Sequence, residues 1–208
     1  MLWLAGCGHG DPAPPADHDR ELVTRIDAAL GSATKFLVGQ QSPDGAWRSH
    51  VYGPLKDGPS LTPHVLASLY FMPQGGTAAR AGFAGGVRYL DTLVDEDGHV
   101  DAGLRFPVYS AAAASWVVVL ADPGDRGRRR QAAWINYLRA RQLNAQLGWS
   151  EPDPEFGGWG YSVAIPRKPP SGEERDPLAE SNISATVYGL GAMRCANVPP
   201  TDPVYREL

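Results

Sequence analysis

Two helical patterns of apolar and polar positions alternate along this chain. Over 20–41 the charged residues share one face of a 3.6-residue period, and Leu22, Ile26, Leu30, Phe36 and Leu37 share another. That pattern predicts an amphipathic helix resting its apolar stripe on a core. Three stretches have no polar face: 62–70, 110–117 and 181–190 are small, apolar and nearly uncharged. Helices apolar all round are buried ones, so these are expected at the centre. Each opens on a hydroxyl residue, which predicts side-chain caps at Thr62, Ser110 and Ser181. Prolines 63, 73, 107, 123 and 203 are expected at element starts or ends.

The two patterns are joined by a repeated turn. The string from Ala33 to Trp47 has the form small-x-x-aromatic-Leu-x-x-x-Gln-x-x-x-Gly-x-Trp, carried by Phe36, Leu37, Gln41, Gly45 and Trp47. A second copy keeps Gly86, Tyr89, Leu90 and Gly98, with Val94 and Val100 in the Gln and Trp places. A third has Tyr137, Leu138 and Gln142, and an insertion displaces its Gly158 and Trp159. The turn ends Trp47, Val100 and Trp159 are 53 and 59 residues apart. Each repeat therefore reads as a charged outer helix, a Gly/Asp turn and a buried inner helix. Repeats fall at about 20–73, 74–122 and 123–200, and 203–208 looks like the start of a fourth. The fold class expected is all-α, an array of three helical hairpins. The turn glycine suits a left-handed helix end. The Gln can bond free helix-end groups, and the Trp can cover the next helix end.

Composition sharpens this picture. Hydrophobic residues are 43% and charged residues 20%, enough for a core. Gly 24 and Pro 19 make about a fifth of the chain, so elements must be short and heavily punctuated. A net charge of −4 offers no cationic field for nucleic acid or anionic lipid. The longest apolar stretch, 111–121, is far short of a bilayer span of roughly 20 residues. Two cysteines, Cys7 and Cys195, form no framework of disulfides or zinc ligands. No metal or cofactor is called for.

The N-terminus reads as a processing site followed by a tether, together 1–19. Leu4-Ala5-Gly6-Cys7 resembles the lipobox of bacterial lipoproteins, which implies lipidation at Cys7, export and a membrane anchor. Only six residues precede Cys7, where a signal peptide needs a positive n-region and a longer apolar core. The alternative is a cytoplasmic chain with an apolar N-terminus.

The aromatic-Leu-x-x-x-Gln-x-x-x-Gly-x-Trp string is similar to the QW motif of squalene-hopene and oxidosqualene cyclases, within the wider group of prenyltransferase/squalene oxidase repeats. The first copy lacks only the leading basic residue, where Ser32 stands. The resemblance implies an α/α-toroid, closed in that family by about six hairpins. Three hairpins would be half a ring, with an open flank for self-association or a partner chain. It does not bring the chemistry. The family's Asp-x-Asp-Asp-Thr-Ala acid motif is absent, and Asp95-Glu96-Asp97-Gly98 falls in the second turn. His50, His64 and His99 match no zinc spacing. Gly6-Cys7-Gly8 lacks the Gln that a thioester domain needs. Arg126, Arg128, Arg129 and Arg130 read as a solvated face.

The most distinctive stretch is the insertion at 148–181. Asp153, Glu155, Phe156, Trp159 and Tyr161 lie among glycines and could form an accessible platform for an apolar or glycan ligand. Long loops of this kind are commonly functional. The stretch 166–177, rich in Pro, Glu and Arg, is expected to lack fixed structure. Two functions follow: a non-catalytic repeat module binding an apolar or glycan ligand or a partner, or the N-terminal fragment of a class II terpene cyclase-like enzyme whose acid motif lies elsewhere.

Overall fold

A computed structural model of the chain describes residues 17–51, 53–72, 76–100 and 103–206. Those residues form an all-α structure of six α-helices: α1 (Asp17–Gly39), α2 (Gly58–Tyr70), α3 (Gly76–Asp91), α4 (Pro107–Ala121), α5 (Asp125–Arg139) and α6 (Ile183–Cys195). Three 3₁₀ turns, at Ala145–Leu147, Pro177–Ala179 and Pro203–Tyr205, complete the regular structure. Among the described residues, extended pairing is limited to the isolated bridges Gln41 with Trp47 and Val94 with Val100, which close the first two Gly turns.

The apolar helices α2, α4 and α6 form an inner row, with α4 packed between the other two. The alanines at 111–114 on α4 are all buried and carry little bulk, so neighbouring backbones approach closely. α3 lies on α2 and α5 lies on α4 as an outer row, and α1 packs chiefly on α3. α3 and α5 thus each pair with the inner helix before them rather than the one after. The cause is connection length: only 122–124 separates α4 from α5, and Gly127 lets the two abut, because a Cβ there would overlap the Asp122 carbonyl. Four tryptophans, Trp47, Trp134, Trp149 and Trp159, are fully buried, as are Leu66, Leu90, Leu104, Leu138 and Met193. Burying one such side chain contributes about 1.5–3 kcal/mol.

Four local expectations are corrected. The inner helices are not capped by Thr62, Ser110 and Ser181. Asp57 caps α2 by accepting from Ser60 N–H, Asn182 caps α6 by accepting from Ser184 and Ala185 N–H, and α4 begins after Phe106 without a side-chain cap. Because α2 starts five residues early, Pro63 lies inside the helix, just past the first turn where a missing N–H is tolerated. The apolar stripe of α1 is largely uncovered, with Leu22 and Ile26 about half exposed and Phe36 exposed, because no described element packs on that side. Finally, α6 is composed like a central helix but covered like an edge one: Ile183 is 87% and Val187 60% exposed.

Candidate functional site

The repeated turns are built by hydrogen bonds that recur position by position. Trp47 Nε1 donates to the Leu37 carbonyl at 2.6 Å, and Trp159 Nε1 donates to the Leu138 carbonyl at 2.9 Å. Each indole so satisfies a carbonyl in the last turn of its own outer helix. The glutamines face the other way. Gln41 Nε2 donates to Gly45 O in its own turn and to Gly82 O on α3, both at 2.8 Å. Gln142 Nε2 donates to Gly157 O and to Val204 O, both at 2.9 Å. The glutamine therefore bridges one repeat to the next outer segment. Thr62 and Thr186 add a third bond, their hydroxyls accepting from the Trp47 and Trp159 backbone N–H groups at 2.9 and 3.1 Å. In the valine-bearing second repeat, Arg130 donates instead to the Val94 carbonyl, and the Ser110 hydroxyl is buried without a partner.

The turn glycines are left-handed at Gly45, Gly98 and Gly157. In the third repeat the residue two before the tryptophan is thus Gly157, and Gly158 takes the place of Ala46, packed against Ser181. The motif aromatics differ in exposure. Phe36 is exposed, Tyr89 sits under the Arg48 guanidinium, and Tyr137 has Arg141 stacked 3.6 Å from its ring centroid.

The inserted segment is not the open platform expected. Trp159 is fully buried, its ring pressed on Gly189. Glu155 is 8% exposed and accepts from Arg175 at 2.7 Å, leaving its Oε2 buried and unpartnered. Asp153 is held by Lys168 Nζ at 2.6 Å and by the N–H and hydroxyl of Ser150. The Lys168 ammonium keeps its carboxyl down at about 2. Phe156 is half-buried. The stretch 166–177 is ordered rather than loose, because Lys168 and Arg175 reach back to Asp153 and Glu155 and the Pro166 carbonyl accepts from Trp149 Nε1. These carboxylates therefore tie the two arms of the segment together.

One member of the expected set lies elsewhere. Tyr161, from the end of the insertion, stacks on Tyr109 of α4 with ring centroids 5.9 Å apart and an interplanar angle of 14°. The Tyr188 ring of α6 lies tilted against Tyr109 with centroids 4.7 Å apart, and Phe106 lies 6.4 Å from Tyr161. The Tyr109 hydroxyl sits 2.6 Å from Ser184 Oγ and 3.4 Å from the Tyr161 hydroxyl. Desolvation raises the Tyr109 phenol, and the hydrogen bond from Tyr109 lowers the Tyr161 phenol. Four aromatic rings and a short hydroxyl chain thus meet where α4, α6 and the insertion converge. Tyr188 is 44% exposed, so the cluster opens to solvent. Tyr109, Tyr188 and Phe106 escaped the sequence reading, because only the packing of α4 on α6 brings them to Tyr161.

The other candidates are dispersed. His50 and His99 are exposed in separate turns, and His64 lies within α2, its imidazole held below the ordinary value by burial. Asp95, Asp97 and His99 have ligating atoms within 4.8 Å of one another on an exposed turn, where Asp95 already bonds the His99 N–H and ring. Of the arginines, Arg126 and Arg130 pair with Asp91, and Arg128 with Asp125. Cys195 is an exposed free thiol, whereas Cys7 lies outside the described residues. No described helix is long and apolar enough to cross a membrane. Comparison with protein-family models, with curated proteins and with solved structures finds no significant match.

Proposed function

We propose that this chain is a helical-hairpin repeat module of the squalene cyclase-like kind that binds an apolar or glycan ligand without transforming it. The observation that carries the reading is the tyrosine cluster of Tyr109, Tyr161 and Tyr188. Aromatic faces offer apolar area with defined stacking geometry, and phenol and serine hydroxyls at their edges can orient a polar substituent. The polar groups bonded within the cluster are neutral hydroxyls, suited to recognition rather than to protonating an alkene. Squalene and a chito-hexasaccharide, titrated separately while tyrosine fluorescence is followed, test it. Binding of one of them is expected, with Tyr161→Ala and Tyr188→Ala each weakening it about tenfold, the worth of one lost ring contact. Failure to bind either, or binding that survives both substitutions, would refute the site. A cyclised product from squalene would refute the non-catalytic reading.

One observation favours the second reading, a part of a terpene cyclase-like enzyme. Gln142 bonds Val204 O as Gln41 bonds Gly82 O on α3, and Asp202 and Pro203 begin a 3₁₀ turn with helix-start chemistry. Residues 202–205 are thus bonded like the start of a fourth outer segment. The coding frame beyond Leu208 tests it: an Asp-x-Asp-Asp-Thr-Ala string there would support an enzyme.

A further inference from the structure

The hydroxyls beside the tyrosine rings can donate in one order only, and that order decides what a ligand must bring. Asn182 Oδ1 accepts from the Ser184 and Ala185 N–H groups at 3.0 and 3.3 Å, so this atom is the amide oxygen and has no proton to give. Ser184 Oγ lies 2.6 Å from the same oxygen, and at that separation the serine has to donate. Its single proton is thereby spent. The Tyr109 hydroxyl, 2.6 Å from Ser184 Oγ, must then be the donor in that contact, and the same proton faces the Tyr161 oxygen at 3.4 Å.

Tyr161 stands at the open end of this row. Its oxygen receives from Tyr109, its own proton goes to no group among the described residues, and its hydroxyl meets solvent. Of the three protons on Ser184, Tyr109 and Tyr161, two are thus committed inward and one is free. Hydrogen bonds in a row polarise one another, and donation from Tyr109 lowers the Tyr161 phenol, which makes it the better donor. A hydrocarbon laid over these rings would cover that hydroxyl and offer it no acceptor, leaving a desolvated polar group unpaired. A sugar ring brings both things required: an apolar C–H face for the tyrosine rings and oxygen atoms at its edge.

We propose that the ligand of the tyrosine cluster is a saccharide, held against the rings with the Tyr161 hydroxyl donating to one of its oxygen atoms. This rests on the reading of the cluster as a binding site and chooses between its two ligand classes. Titration of the full chain with chito-hexasaccharide, by calorimetry, and with squalene, by tyrosine fluorescence, tests it. The saccharide is expected to bind and squalene to bind at least tenfold more weakly. Tyr161→Phe keeps the ring and should weaken saccharide binding about fivefold, the worth of one neutral hydrogen bond, with the urea midpoint unchanged. Ser184→Ala should leave the affinity within about twofold, because the serine proton points to Asn182 and away from the ligand. Squalene binding as tightly as the saccharide overturns the assignment while the stacking site stands. So does saccharide binding that survives Tyr161→Phe, or that falls as far with Ser184→Ala. Binding of neither probe overturns the site and the assignment together.

Discussion

Removing the Trp159 indole separates packing from binding at the third turn. The side chain is fully buried, its Nε1 donates to the Leu138 carbonyl at 2.9 Å, and its ring fills the space over Gly189. Trp159→Ala deletes that volume, which costs about 3–5 kcal/mol in a core that relaxes only partly. The abandoned carbonyl adds about 1 kcal/mol. Trp159→Phe keeps most of the volume and loses only the donor, so about 1–3 kcal/mol is expected. These losses are large against a total of about 5–15 kcal/mol for a domain. With a urea slope of roughly 2 kcal/mol per molar, the alanine variant should unfold about 2 M earlier and the phenylalanine variant about 1 M earlier. Urea titration followed by far-ultraviolet circular dichroism reads both. Tyr161→Ala, at a half-buried position, should move the midpoint by less than half as much as Trp159→Ala. If Trp159→Ala left the midpoint at the wild-type value and changed only ligand binding, the indole would be a binding residue and this account of the turn would fail.

Two further outcomes follow from the same geometry. Gly45 and Gly98 hold equivalent left-handed positions, φ 91° and 83°, in unequal space. A Cβ on Gly98 meets only Ala133 at 4.0 Å, whereas one on Gly45 would overlap the Gly85 carbonyl. Gly98→Ala should therefore cost about 1–2 kcal/mol of backbone strain, and Gly45→Ala clearly more. Equal losses in thermal melting would show that the close approach of α3 to the first turn is wrong. Acid should loosen the inserted segment. The Asp153 carboxyl is lowered from 3.8 to about 2 by Lys168, so the pair stabilises the fold fully above the unfolded value and loses that contribution as pH falls through about 2. The melting temperature of the wild type should fall more steeply over that window than that of Asp153→Asn. Parallel curves would refute a role for the pair.

Local chemistry made much of the fold legible. The spacing of Phe36, Leu37, Gln41, Gly45 and Trp47 marks a helix end, a left-handed turn and an aromatic that returns to the helix, and each is a short-range event. The charged and uncharged helices separate on composition alone, since a helix without polar residues has no face to give to water. Partnership between elements was less legible. Thr62 and Thr186 looked like caps, or like nothing, until the turns brought Trp47 and Trp159 backbone amides to their hydroxyls. Glu155 and Asp153 looked like free acids because Arg175 and Lys168, 20 and 15 residues on, are invisible to local spacing.

What the sequence by itself determined is an all-α chain with a turn repeated at 53- and 59-residue intervals, because capping, handedness and amphipathicity act within a few residues. What the tertiary structure alone decided is which helix covers which. α4 is central and α6 an edge although both are apolar all round, because coverage depends on neighbours and not on a helix's own composition. The same distinction moved the candidate site. Trp159 passed into the core, and Tyr161 joined Tyr109 and Tyr188, since a platform exists only where separate elements bring their rings together.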